Sequence, residues 1–243
     1  FFPDLRAMLV QLHAAYRYPV EIEFALNVLD DGSYRINLLQ CRPLQVRSLE
    51  GQVNIAPPAN APHLFDAQSA VIGPSRVIRP DRLIYIVQSR YSELRQDDRL
   101  AVARLVGAIN RLSIDLTLVV LGPGRWGTRD PWMGVPVDFS EINRVSALCE
   151  IVAMNDNLIP DVSLGTHFLN ELIEADMLYF ALFPAKPGNH INEKGILSFP
   201  NRLGELLPSA LKYADVVRVV DFDANAVTLF ADAEKQQVIM TGP

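Results

Sequence analysis

Leu83-Ile-Tyr-Ile-Val87, then Asp97-Asp-Arg-Leu-Ala-Val-Ala-Arg-Leu-Val-Gly-Ala-Ile-Asn-Arg-Leu112, then Leu116-Thr-Leu-Val-Val-Leu121 decide the fold class. The outer two segments are short apolar runs, as expected of strands buried on both faces. The middle one carries Val102, Leu105, Val106, Ile109 and Leu112 on one helical stripe. Asp97 and Asp98 sit where the positive end of a helix favours acidic groups. A strand, a helix and a strand at this spacing predict a parallel pair and an α/β domain with a mixed sheet over residues 81–243. Outward from this unit the pattern predicts strands at Ala147–Ala153, Met177–Phe183, Val216–Val220 and Ala226–Ala231, and helices at Phe168–Glu174 and Leu203–Tyr213. Residues 48–80, punctuated by Gly51, Pro57, Pro58, Pro62, Gly73, Pro74 and Pro80, read as a connecting region with one or two short strands.

Residues 1–47 read differently, as a small α+β piece. Leu5, Met8, Leu9 and Leu12 predict a helix over Pro3–Tyr16. After it, Glu21-Ile-Glu-Phe-Ala25 and Leu38-Leu-Gln-Cys-Arg-Pro43 alternate as two strands joined at Asp31-Gly32, a favoured hairpin turn. That turn puts Glu23 opposite Gln40 and Glu21 opposite Arg42, with Ile22 and Phe24 facing Cys41 and Leu39 on the other side. Two carboxylates, an amide and a guanidinium then share a face. A hard cation such as magnesium takes one or two carboxylates and fills its shell with phosphate oxygens and water, and arginine offers a fork of donors to the same phosphate. The same pattern also suits an exposed hairpin with two cross-strand ion pairs.

The Glu-Ile-Glu-Phe-Ala and Leu-Leu-Gln-Cys-Arg-Pro segments resemble the end of the ATP-binding domain of the phosphoenolpyruvate synthase and pyruvate phosphate dikinase family, which is similar to an ATP-grasp fold. The resemblance covers about the first 47 residues. It implies an ATP-dependent phosphotransferase with ATP and magnesium as cofactors. Glu23 and Gln40 would stand at the metal, Glu21 beside them where the family more often has aspartate, and Arg42 would reach the terminal phosphates as the catalytic contact. It also implies that the family's nucleotide-binding half would lie before Phe1, so this piece alone is expected to bind ATP weakly. The stretch from Gly122 to Phe180 is similar to C-terminal regions of longer, little-characterised proteins that carry the same ATP-binding domain, and no settled activity follows from that.

Two further segments carry candidate chemistry. Gly122-Pro-Gly-Arg-Trp-Gly-Thr-Arg-Asp-Pro-Trp-Met-Gly134 gathers four glycines, two arginines and both tryptophans of the chain past the end of a predicted strand. Open α/β sheets bind ligands at such positions. Gly122, Gly124, Arg125 and Gly127 are the expected binders of a nucleotide or small anion, glycine allowing close approach and tryptophan offering a stacking surface. The bland alternative is a rigid loop with tryptophans on the core and Arg129 and Asp130 in solvent. In Ser163-Leu-Gly-Thr-His-Phe-Leu-Asn-Glu171, His167 falls at the start of a predicted helix, as a ligand contact, a proton acceptor or simply a structural histidine. Nothing marks it as the parent family's phosphohistidine.

A net charge of −6, from 22 Lys+Arg and 28 Asp+Glu, argues against nucleic acid or anionic membranes as partners. The expected partners are a nucleotide and a small phosphorylated or carboxylate metabolite, with a homodimer as the assembly. Cys41 and Cys149 lack metal or disulfide spacing and suit free thiols in a reducing, cytoplasmic compartment. A regulatory or anion-sensing module with a vestigial hairpin is the competing reading.

Overall fold

In the computed structural model, described over residues 1–16, 20–43, 56–68, 70–153 and 162–242, the chain forms two compact units, Phe1–Val46 and Arg47–Pro243.

The first unit is one helix and one hairpin: α1 (Phe2–Tyr16), β1 (Val20–Val28) and β2 (Tyr34–Pro43). Glu23 lies opposite Gln40 and Glu21 opposite Arg42. The turn between the strands is longer than the expected two residues: Val28 pairs with Tyr34, the Leu29 amide donates to the Ser33 carbonyl at 2.8 Å, and Gly32 takes a positive φ of 80°. A bulge between Glu23 and Phe24 then shifts the ladder by one, so Phe24 faces Leu38 and not Leu39. The two departures cancel at Glu23 because a bulge inserts one residue on one strand. Leu39, the extra residue, is 66% exposed. No described residue of this unit is buried.

The second unit begins its regular structure inside the expected connecting region. The strands β3 (His63–Gln68), β4 (Val71–Ile72) and β5 (Arg76–Ile78) all enter its sheets, so residues 63–78 are domain and not connector. There follow β6 (Arg82–Ile86), α2 (Gln88–Ser92), α3 (Gln96–Leu112), β7 (Leu118–Pro123), the short β8 (Arg125–Trp126) and β9 (Gly134–Val135), and β10 (Val145–Ile151). The chain continues through α4 (His167–Glu174), β11 (Leu178–Leu182), β12 (His190–Ile191), α5 (Glu193–Ser198), α6 (Leu203–Leu206), β13 (Val217–Asp221), β14 (Thr228–Asp232) and β15 (Gln237–Thr241). The helix expected over 203–213 stops at Leu206 and restarts as a 3-10 turn from Pro208. Proline cannot donate the amide that would continue the α-helical ladder.

Six strands form a mixed sheet in the order β13-β6-β7-β10-β11-β4, in which β6, β7, β10 and β11 run parallel and the two edges antiparallel. The parallel strands follow one another in chain order across the sheet. With right-handed crossovers, that order puts the connecting helices on one face. Side-chain alternation agrees: Ile84, Val120, Leu148 and Tyr179 pack with Val102, Val106 and Ile109 of α3 and Leu172 of α4. Leu83, Val119, Cys149 and Phe180 point the other way, onto the second sheet. That sheet is wholly antiparallel, β12-β3-β15-β14-β5, and contributes Phe65, Leu229, Val238 and Met240. The unit is therefore three layers, helices on a mixed sheet on an antiparallel sheet. Cys149 is buried and free, and burial pushes its thiol pKa up. Among the described residues no helix is long and apolar enough to cross a membrane.

Phe65 and Phe180 stack at 5.5 Å where the two sheets meet, both fully buried. Phe180→Ala should lower the unfolding free energy by about 3–5 kcal/mol, read as a shift in the urea midpoint at unchanged slope.

Candidate functional site

Beyond the carboxyl ends of β7 and β10 the chain opens a cleft of about 1050 Å³. One wall comes from Arg125, Gly127, Arg129 and Asp130, the other from Ser163, Thr166, His167 and Glu171, with Phe139 and Phe168 adding apolar surface. The two candidate segments of the second unit, 122–134 and 163–171, thus form a single site. The strand order has no reversal here, so the crevice owes nothing to a topological switch point. It exists because the chain leaves β7, loops out over residues 124–133, and returns to pair with itself.

That excursion is held tightly. β8 and β9 pair in parallel, Arg125 with Gly134 and Trp126 with Val135, and the Gly127 amide donates to the Val135 carbonyl at 3.1 Å. Beneath it Arg99 of α3, 1% exposed, donates to the carbonyls of Ser92, Leu94 and Pro131 at 2.7, 3.1 and 3.1 Å. Its guanidinium lies 4.4 Å from the Trp132 ring and 5.0 Å from the Tyr91 ring. Backbone dipoles and aromatic faces replace a carboxylate as its partners. Burial lowers its pKa, opposed by Tyr91 and Asp130.

The glycines and tryptophans serve this packing. Gly122 has no room for a Cβ, which would stand 2.6 Å from the Trp126 ring, and Gly127 at φ +68° would set one 2.3 Å from the Phe168 ring. Gly122, in the end of β7, and Gly124, in the bend after it, are not among the residues lining the cleft; the Gly124 amide donates to the Ile151 carbonyl at 2.8 Å. Trp126 is buried with its Nε1 donating to the Cys149 carbonyl, and Trp132 covers Arg99. At Gly122 and Gly127 the absence of a side chain is what lets backbone pack closely against Trp126 and Phe168. Arg125, half-buried, and Arg129, exposed, do line the cleft. Among the described residues neither has an ion-pair partner.

On the opposite wall Thr166 caps α4: its hydroxyl accepts from the Leu169 amide at 3.3 Å and donates to the Ser163 carbonyl at 2.7 Å. His167 is therefore the first residue of the helix, exposed to the cleft.

Glu150 is the residue that sequence reasoning missed. It is wholly buried behind the cleft and accepts four hydrogen bonds. Trp126 N (2.9 Å) and Ser163 Oγ (2.5 Å) reach Oε1, while Ser163 N (2.8 Å) and Tyr179 Oη (2.6 Å) reach Oε2. Burial pushes its carboxyl pKa up, and the hydrogen bonds pull it back. The available signal was one acid inside the apolar run Val145–Val152, a pattern that charge rarely enters without a partner.

No family model, no curated protein and no solved structure matches this chain.

In the first unit Glu21 is half-buried, while Glu23 and Gln40 are exposed on the same side of the ladder. The Arg42 side chain lies outside the described residues. Among the described residues no group of three or more His, Cys, Asp or Glu side chains could hold a metal ion, so a cation at the hairpin would rest on two carboxylates and an amide with its remaining shell from phosphate and water.

Gly127→Ala combines an unfavourable left-handed backbone, which costs roughly 1–2 kcal/mol, with the clash against Phe168. It should lower the thermal midpoint and raise proteolysis in the 124–133 loop, whereas Gly165→Ala, whose added Cβ meets open space, carries only the backbone penalty.

Proposed function

We propose that the second unit binds a small anion, a phosphorylated or carboxylate metabolite, in the cleft between residues 125–130 and 163–168. One observation carries this reading: two segments distant in sequence bring Arg125, Arg129 and His167 to one opening, with no carboxylate paired to either arginine among the described residues. An unpaired guanidinium is a strong donor to carboxylate and phosphate oxygens. The first turn of α4 adds amides without helical acceptors on the same wall. Phe139, Phe168 and Met133 give an apolar body something to pack on. Asp130, Asp138 and Glu171, which line the same cleft, select against a ligand that is anionic all round.

Calorimetric titration with inorganic phosphate, phosphoenolpyruvate and pyruvate should give heat for at least one of them. Arg125→Ala with Arg129→Ala should weaken that binding by at least about tenfold, since each charged hydrogen bond contributes roughly 1.5–3 kcal/mol. Absence of heat for all three anions overturns the reading.

The hairpin supports a second reading for the intact protein. What supports it is the register, which sets Glu23 opposite Gln40 and Glu21 opposite Arg42, two carboxylates and an amide being donors suited to magnesium with phosphate. On this reading the protein is an ATP-dependent phosphotransferase similar to phosphoenolpyruvate synthase, with ATP and magnesium held at Glu21, Glu23 and Gln40. Arg42 meets the outer phosphates, and the cleft receives the acceptor or senses the product. Catalysis would then be positioning plus charge neutralisation. ATP turnover by the intact protein should fall at least about a hundredfold in Arg42→Ala, the scale of one lost transition-state contact. Turnover indifferent to both Arg42→Ala and Glu23→Ala removes this reading.

A further inference from the structure

The two walls of the cleft meet at one buried group. Trp126 belongs to the arginine-bearing loop and Ser163 to the turn that leads into His167, 37 residues later. No backbone ladder joins them, and their direct contact, from Ser163 Oγ to the Trp126 carbonyl, is long at 3.4 Å. The shorter links run through Glu150, whose Oε1 accepts the Trp126 amide and whose Oε2 accepts the Ser163 amide. Each oxygen also accepts one hydroxyl, from Ser163 and Tyr179 respectively.

We infer that Glu150 is the positioning residue of the cleft: by holding one backbone amide of each wall on a separate carboxylate oxygen, it sets the distance between the arginines and the His167 turn, and so the affinity for the anion. This inference rests on the anion-binding reading given above.

The chemistry of the four partners makes the assignment sharp. A hydroxyl can turn and accept a hydrogen bond, but a backbone amide can only donate. A carboxylate satisfies both amides at once. A protonated carboxyl does so too, since its O–H can point to Ser163 Oγ or Tyr179 Oη while both oxygens still accept. Glutamine has the same shape and cannot: whichever position takes its NH2 group faces an amide N–H, donor against donor. One wall must move away, or one buried donor is left without an acceptor. Pre-organisation of the site is lost with it. The electrostatic alternative, in which Glu150 acts on a bound anion through its charge, gives the opposite sign: removing a buried negative charge next to the cleft would tighten anion binding.

Tyr179 supplies the control. Its hydroxyl uses the same carboxylate but it lines neither wall. Phosphoenolpyruvate binding by the whole chain is measured for the wild type, Glu150→Gln, Tyr179→Phe and Arg125→Ala, together with amide exchange at residues 126 and 163. We expect Glu150→Gln to bind about tenfold more weakly and to exchange faster at the Trp126 or the Ser163 amide, while Tyr179→Phe loses thermal stability but keeps affinity within about twofold. If Glu150→Gln does not fold, Glu150→Asp replaces it; one methylene shorter, it cannot span both amides and should also bind more weakly. Wild-type affinity or tighter binding in the Glu150 variant, with Arg125→Ala still defective, overturns the positioning role. So does an equal loss in Tyr179→Phe, which would mean only a core requirement. A wild-type protein that binds none of phosphate, phosphoenolpyruvate and pyruvate fails before any variant is compared, and then it is the anion-binding reading that falls and takes this inference with it; if pyruvate alone gives heat, the variants are compared with pyruvate.

Discussion

Burial of the parallel strands on both faces is the constraint from which the rest of the second unit follows. β6 and β7 expose no residue, and neither do β11 and most of β10. Parallel pairing needs crossovers, crossovers of one hand laid in chain order put every helix on one side, and the opposite apolar face must then find another cover. The antiparallel sheet of β12, β3, β15, β14 and β5 is that cover. Most of its strands come from the two ends of the unit, around residues 63–78 and 228–241, which closes the layers over a core of non-local contacts.

The cleft is a by-product of the same arrangement. A strand buried on both sides can present chemistry only at its ends, so the chain past β7 and β10 carries the exposed donors. The consequence is a set of polar groups buried under the loops: Arg99 with three carbonyls, and Glu150 with four donors. Each is hydrogen-bonded on every side the geometry offers, as a buried charge must be to persist. They share no hydrogen-bond partner, so the loop is held by α3 through Pro131 and by β10 through Trp126.

The first unit obeys a different rule. With a single helix and a two-stranded sheet it has no described buried residue, and Leu26, Val28, Leu29 and Leu38 are exposed on its hairpin. Two strands and one helix do not enclose a core. Its contacts are the Leu29–Ser33 turn within the hairpin and, between helix and hairpin, the Asp4–Tyr34 hydrogen bond and Phe1 against Phe24 and Tyr34.

Alternation and helical stripes in the amino-acid sequence were enough to specify the parallel pair 83–121 and the amphipathic α3, because these depend on local period; Glu23 faces Gln40 as expected only because the longer turn and the bulge cancel. Strands at 63–78 were legible there only as one or two short strands in a connecting region, and the strand at 237–241 was not legible: they are short, the first group is interrupted by Gly73 and Pro74, and much of their pairing is with segments remote in the chain, β3 with β15, β5 with β14 and β4 with β11. The packing need for glycine at Gly122 and Gly127 was not legible in the sequence, because only the positions of Trp126 and Phe168 show it. Likewise Arg125 and His167 belong to separate motifs in the sequence, and it is tertiary structure, through the shared hydrogen bonds of Glu150, that makes them one site. Local chemistry selects the elements, whereas the meeting of donors from distant segments depends on how the strand ends are packed, which no single window of sequence encodes.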